Sequence, residues 1–265
     1  LLKPRREAVD GPVVYFVDDF FRDHELIGRL PMETGDQLHF VDSSSEPEVT
    51  RIDAFKEAVS AADSRTPCCV VGIGGGNALD TAKAVANLLT NPGKAEDYQG
   101  WELVKNPAVY KIGIPTLSGT GSECSRTCVL TNIPKNLKLG MNSDYTVYDQ
   151  LLLDPDLLAT VPRDQYFYTG IDTFMHCVES LQGSYRNAII DAFSVRAVQL
   201  CEEIFLSDDM MSEENREKMM IASYIGGMAA GNVGVIHPFS AGLGVVLHVA
   251  HGLGNCLALN VLGDI

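Results

Sequence analysis

The stretch "PCCVVGIGGGNALDTAKAVANLLTN", residues 67–91, holds a strand, a turn and a helix in succession. Residues 68–73 are apolar without alternation. A strand of that kind is buried on both faces, which suits a parallel sheet covered by helices. Gly74, Gly75 and Gly76 end the run, and residues 77–91 have the spacing of a helix. Glycines at a strand-to-helix turn let the backbone approach a pyrophosphate, and the helix N-terminus adds unpaired N–H groups and a positive dipole end. The run lacks the full G-x-G-x-x-G spacing, so a tight turn needing only glycine's backbone freedom is the competing explanation.

Outward from this unit the first half of the chain alternates strand and helix. "PVVYFVDD" (12–19), "DQLHFVD" (36–42) and "VYKIGIPT" (109–116) read as further strands, and "VTRIDAFKEAVSAAD" (49–63) as a helix with Ile52, Phe55 and Val59 on one face. After "LLLDPDLLATVPRD" (151–164) the strand signals stop. Helical runs follow near 165–182, 186–206, 213–230 and 237–248, with Pro162 at a helix start, Thr160 as its expected cap and Gly183 at its end. The expected organisation is an α/β domain over 1–155 with a parallel sheet, then an all-helical domain over 156–265.

A chain of 265 residues, 46% hydrophobic and 21% charged, is of the globular class. Its formal net charge of −15 argues against a nucleic-acid partner, which needs a basic face to hold phosphates. No apolar run reaches the ~18 residues of a membrane span. The opening "LLKPRREAVD" contains no signal-peptide h-region and no initiator Met, so the start is read as trimmed. The seven cysteines are odd in number and form no CxxC pair. They read as small buried side chains in a reducing, cytoplasmic compartment.

Two further features point to chemistry. "IPTLSGTGSE" (114–123) is a second Gly/Ser/Thr-rich loop at a strand's carboxyl end, where open α/β sheets bind ligands, and Asp18 closes the first strand, where an acid can accept from a ribose 2′-OH. In "TGIDTFMHCVES" (169–180), Asp172 and His176 stand one helical turn apart, with Glu179 on the same stripe. A buried carboxylate needs a partner, and a structural Asp–His pair would supply one. The apolar, glycine-rich "GVIHPFSAGLGVVLHVAHGLGN" (234–255) adds His237, His248 and His251. One carboxylate with three neutral imidazoles makes a site for Fe(II) or Zn(II), and spacing alone leaves open which histidines take part.

Taken in order, "GGGNALDTAK", "PTLSGTGSE", "LLLDPDLL", "TGIDTFMHCVE" and "HPFSAGL…AHGLGN" resemble the iron-containing (group III) alcohol dehydrogenase family. The resemblance implies an N-terminal dinucleotide-binding domain, a helical C-terminal domain, and an active site in the cleft between them. It implies Asp172, His176, His237 and His251 as metal ligands. Gly74, Gly75, Gly76, Asn77 and Asp80 fall on the family's pyrophosphate loop, Thr116, Leu117 and Thr120 on its second cofactor loop, and Asp18 on the acid favouring NAD. Lys138 matches a lysine near the cofactor and is taken as a catalytic candidate. The implied activity is hydride transfer between an alcohol and NAD, with alcohols, aldehydes or sugar acids as substrates and a homodimeric assembly.

The departures are specific. Asn77 stands where serine is usual, and Ala241 stands where many members have a histidine that assists proton transfer. His248 is then the candidate base, since on a continuous helix it would share a face with His251. The family's chains also extend further at both ends, which implies that this one is incomplete. Within the family, "NLKLGMNSDYTVYDQLLLDPDL" and "HPFSAGL" are similar to 3-deoxy-octulosonate 8-oxidases. The alternative is an NAD-using, metal-dependent lyase of the 3-dehydroquinate synthase type, which shares the architecture but not the Asp-x-x-x-His pair.

Overall fold

The computed structural model describes residues 1–184, 186–230, 234–247 and 249–262. Its elements begin with α1 (Leu2–Ala8), β1 (Val13–Asp18), α2 (Glu25–Gly28), β2 (Gln37–Val41), α3 (Val49–Ala62), β3 (Cys69–Gly74) and α4 (Gly76–Leu88). Then come β4 (Gly100–Trp101), β5 (Lys111–Pro115), β6 (Thr127–Asn132), β7 (Leu137–Asn142) and β8 (Gln150–Leu151). The chain ends in helices: α5 (Arg163–Gln182), α6 (Ala188–Phe205), α7 (Glu213–Ala229), α8 (Ile236–Leu247) and α9 (His251–Leu262). Two compact units result: Leu1–Pro115 with Arg126–Leu152, and Thr116–Ser125 with the residues from Leu153 onward.

In the α/β unit five strands form a parallel sheet ordered β2-β1-β3-β5-β8. The order reverses between β1 and β3, which opens a ligand crevice beyond the carboxyl ends of those strands. Val17 pairs with Ile73, so Asp18 and Gly74 emerge level with each other. A Cβ on Gly74 would lie 2.6 Å from that of Ala78 and 2.9 Å from that of Asp18, and its φ is +151°, so only glycine fits there. Alternate residues serve two cores. Val14, Phe16 and Val70 pack with Ile52 and Val85 from the helices, while Val13, Tyr15, Val71 and Ile112 pack on the other side.

A second sheet, ordered β4-β7-β6, was not foreseen from the sequence. Cys128, Leu130 and Asn132 are buried while their neighbours are half-exposed, so β6 is a strand with one covered face. Residues 78–88 of α4 are buried without interruption. Asp80 is part of that packing: its Oδ2 accepts from the Val129 N–H at 2.8 Å, and the Tyr148 hydroxyl donates to the Leu79 carbonyl at 2.8 Å.

The second unit is built on α5. Its first residue follows Pro162, which sets the entry φ, and no side chain caps it, so the expected Thr160 cap is not used. Tyr166 and Cys177 pack with Leu200, Cys201 and Ile204 of α6 and with Met219 and Ala222 of α7. The 116–125 segment is pinned among these helices. The Gly119 N–H donates to Ser223 Oγ at 2.8 Å, and Thr173 Oγ1 donates to the Gly119 carbonyl at 2.9 Å. Gly121, at φ +64°, is so near Gly227 that a Cβ on it would overlap the Gly227 backbone. No helix among the described residues is long and apolar enough to cross a membrane.

The start of the sheet depends on Asp36. Its carboxylate accepts from Arg6 at 3.0 and 2.5 Å, from the Val13 N–H at 2.9 Å and from the Glu33 N–H at 2.8 Å. Burial would raise the Asp36 carboxyl, but the Arg6 guanidinium and the two N–H groups outweigh it and hold it below the usual carboxylate range. A depressed folded pKa stabilises above the unfolded value of about 3.9 and is lost as pH falls through the folded value. Asp36→Asn is therefore expected to cost about 2 kcal/mol near neutral pH. The cost should shrink in acid below about pH 4. Urea unfolding followed by the fluorescence of Trp101, the single tryptophan, measures it.

Candidate metal and cofactor sites

The helical unit brings the acid–histidine cluster together from three helices. Asp172, His176 and Glu179 come from α5, His237 from the first turn of α8, and His251 opens α9. Asp172 is 3% exposed, and three imidazoles turn Nε2 toward its Oδ1: His237 at 3.1 Å, His251 at 3.6 Å and His176 at 3.8 Å. Ligand atoms of Asp172, His176 and His237 all lie within 4.8 Å of one another. The rings of His176 and His237 stack, with centroids 4.3 Å apart.

Three residues outside the expected ligand set hold this cluster. Glu179 Oε1 accepts from the Ile236 N–H at 2.6 Å, and Oε2 bonds His237 Nδ1. Asn255 donates from Nδ2 to Asp172 Oδ1 at 2.7 Å. Glu179 was visible in the sequence only as a stripe neighbour. Asn255 had no signal beyond standing one helical turn after His251, which matters only once α9 is known to begin there. Ser240 Oγ bonds His251 Nδ1 at 3.2 Å, which keeps that ring's Nε2 on the Asp172 side.

The electrostatics follow from burial. Burial would raise the Asp172 carboxyl, but His176, His251 and His237 outweigh it and hold it well below the carboxylate range. Burial pushes His176 down to about 4 against the pull of Asp172, so its imidazole is neutral. At His237 burial acts the same way, yet bonds to Asp172 and Glu179 prevail and raise it to about 9. The donor set fits a divalent ion. Two buried carboxylates leave a negative charge that one imidazolium only half offsets, and the facing donors are borderline nitrogens and a hard oxygen.

In the α/β unit the glycine loop lies at the switch point between β1 and β3. Asn77 does not point its amide at open space. Nδ2 donates to the Asp42 carbonyl at 3.2 Å and also to that of Ser45, which fastens the loop after β2 to the glycine turn. Ser43 Oγ donates to Asp18 Oδ2 at 2.8 Å, so this loop also positions the Asp18 carboxylate. Lys138 lies on β7, paired with Glu46 at 2.5 Å. Thr116 is buried, and Leu117 and Thr120 are half-buried, in the segment that belongs to the helical unit. Thr120 Oγ1 accepts from the Ser122 N–H at 3.3 Å. His248 lies outside the described residues. The continuous helix expected to join it to His251 is not formed, because α8 ends at Leu247 and α9 begins at His251.

Residues 20–155 match the model of iron-containing alcohol dehydrogenases, and residues 166–262 match the C-terminal model of the same family. The chain belongs to the iron-containing alcohol dehydrogenase family. It is 34% identical over 220 residues to a sulfoacetaldehyde reductase of Bilophila wadsworthia, a match spanning 81% of this chain and 56% of that protein. It is 30% identical over 236 residues to an NAD-dependent methanol dehydrogenase of Bacillus methanolicus, spanning 87% and 61%. The chain thus spans little more than half the length of the curated relatives it matches. Among solved structures, the sulfoacetaldehyde reductase of Bifidobacterium kashiwanohense, in complex with NAD+, superposes with a TM-score of 0.83. That pair is 26% identical, covering 99% of this chain and 70% of that one. The alcohol dehydrogenase of Oenococcus oeni gives a TM-score of 0.85 at 25% identity, covering 96% and 68%.

Metal uptake is expected to be pH-dependent. A ligand imidazole must be neutral, and His237 in the metal-free site keeps its second proton up to about 9. Each pH unit below that value is expected to weaken Zn(II) affinity by up to about tenfold, with proton release on binding. Calorimetric titration between about pH 7 and pH 9, in buffers of different ionisation enthalpy, counts the proton.

Proposed function

We propose that this protein is an NAD-dependent, divalent-metal-dependent alcohol dehydrogenase that interconverts an alcohol and its aldehyde or ketone. The observation that carries the reading is the convergence of His176, His237 and His251 on buried Asp172. These four residues would hold Fe(II) or Zn(II). When bound, the ion supplies Lewis acidity that lowers the pKa of an alcohol hydroxyl, and NAD supplies the hydride acceptor.

The chain's own residues then have separate tasks. Asp172 and the three imidazoles fix one point of the substrate, so the reacting carbon is presented rather than left to diffuse. The turn from Gly74 to Gly76 and the start of α4 receive the pyrophosphate of NAD. Asp18, held by Ser43, accepts from the ribose 2′-OH and repels a 2′-phosphate. Asn77 and Lys138 act on the cofactor through the loop after β2, which both of them bind, and Asp80 acts through the seating of α4. Thr116, Leu117 and Thr120 form the second cofactor segment. With Ala241 in place of an imidazole, His248 is the proposed proton acceptor.

Within this class we propose a sugar acid as substrate, oxidised at the C8 hydroxyl of a 3-deoxy-octulosonate. The support is the likeness of residues 136–157 and 237–243 to enzymes of that type. A homodimer and a cytoplasmic location complete the reading.

Supplying metal, NAD and a panel of simple alcohols and 3-deoxy sugar acids should give NADH absorbance with at least one of them. Turnover without net NADH would instead indicate a lyase. His251→Ala is expected to lose metal and turnover while NAD binding persists, since the glycine loop belongs to the other unit. Stoichiometric metal in both His251→Ala and Asp172→Ala would refute the site. Asp18→Gly should narrow the preference for NAD over NADP, read as the ratio of kcat/KM values.

A further inference from the structure

Glu179 is as buried as Asp172, at 3% exposure, yet it is not one of the four residues facing the proposed ion. Both of its oxygens are engaged, and both engagements lead to His237. Oε1 takes the Ile236 N–H at 2.6 Å and the His237 N–H at 3.4 Å, which are unpaired donors at the start of α8. Oε2 takes the ring nitrogen Nδ1 of His237. The other ring nitrogen, Nε2, is the atom directed at Asp172 Oδ1. Gly234 leaves the room this needs, because a Cβ there would lie 2.6 Å from Glu179 Oε1.

We infer that Glu179 is the positioning residue of the metal site: it fixes both the tautomer and the placement of His237 and supplies the second negative charge that balances a divalent ion. This rests on the metal reading proposed above. A neutral imidazole carries one proton. With a carboxylate at Nδ1 that proton resides on Nδ1, which leaves the lone pair on Nε2 free for the proposed ion. The same carboxylate anchors the backbone on which His237 is carried, so ring and main chain are set by one group. The charge count agrees. Asp172 and Glu179 contribute two negative charges and the neutral imidazoles none, so a divalent cation leaves the buried cluster neutral.

Glutamine at 179 is the informative change, since it keeps the size and breaks the pattern. Its amide has one accepting oxygen where the site needs two. With the oxygen on the α8 N–H groups, the NH₂ group meets Nδ1 and drives the ring proton to Nε2, the wrong tautomer for ligation. Glu179→Gln is expected to weaken Zn(II) binding to the metal-free protein by about 10- to 100-fold, measured by competition with a chromophoric chelator. It should also change the visible absorption of the Co(II)-loaded protein, because one nitrogen donor is withdrawn.

The decisive comparison is a cycle with His237→Ala. If Glu179 acts through His237, Glu179→Gln in the His237→Ala background should change Zn(II) affinity by less than about twofold. Equal weakening in both backgrounds, with far-UV circular dichroism intact, would assign Glu179 a general packing role and overturn the inference. So would unchanged Zn(II) affinity and Co(II) absorption in the single variant. Failure of the unmodified protein to take up Zn(II) or Co(II) at all would be a different result, overturning the metal reading itself and this inference with it.

Discussion

The buried carboxylate of Asp172 is the constraint on which the helical unit depends. An ionised group at that depth is destabilising unless surrounded by donors or positive charge, and the price is met by convergence. Three imidazoles and the Asn255 amide are drawn to one oxygen from α5, α8 and α9. Glu179 repeats the arrangement one layer back, capping α8 and gripping His237. The helices around this point are thus arranged by polar demand as much as by apolar burial. That explains how the apolar, glycine-rich segments 234–247 and 249–255 acquire a defined place.

In the α/β unit the constraint is backbone proximity. Gly74 can end β3 only as glycine, because Asp18 and Ala78 occupy the space a side chain would take. Asn77 then joins the glycine turn to the loop after β2, and Ser43 in that loop reaches Asp18. Three segments that approach from different strands are thereby fixed to one another.

Much of this was legible in the chain. The unbroken apolar runs at β1 and β3 identify buried parallel strands, and the shift to a 3.6-residue period after Pro162 identifies the helical half. The hairpin of β6 and β7 was missed because Gly140 and Lys138 in β7 resemble loop composition. The end of α8 at Leu247 agrees with the helical run read over 237–248, but the separate helix α9 from His251 was not read from the sequence, because Gly252 and Gly254 in its first turn resemble loop composition. That separation removes the expected shared face of His248 and His251. Asp172, His176, His237, His248 and His251 stand out in the chain because acids and imidazoles are conspicuous in apolar surroundings, while the choice of His237 and His251 among the later histidines came from the family resemblance. Asn255 does not stand out, since an amide near a helix start has many ordinary uses.

The division of the chain has a consequence for how it is made. Residues 116–125 belong to the helical unit but precede β6, so they leave the ribosome well before α5 and α7 exist. Their final contacts, Gly119 with Ser223 and Gly121 with Gly227, span roughly a hundred residues of chain. During synthesis this segment has no native surface to rest on, although the strands on either side of it can already pair. The native contacts of this segment can therefore form only after α7 has been made, and those of the acid–histidine cluster later still, once α8 and α9 follow.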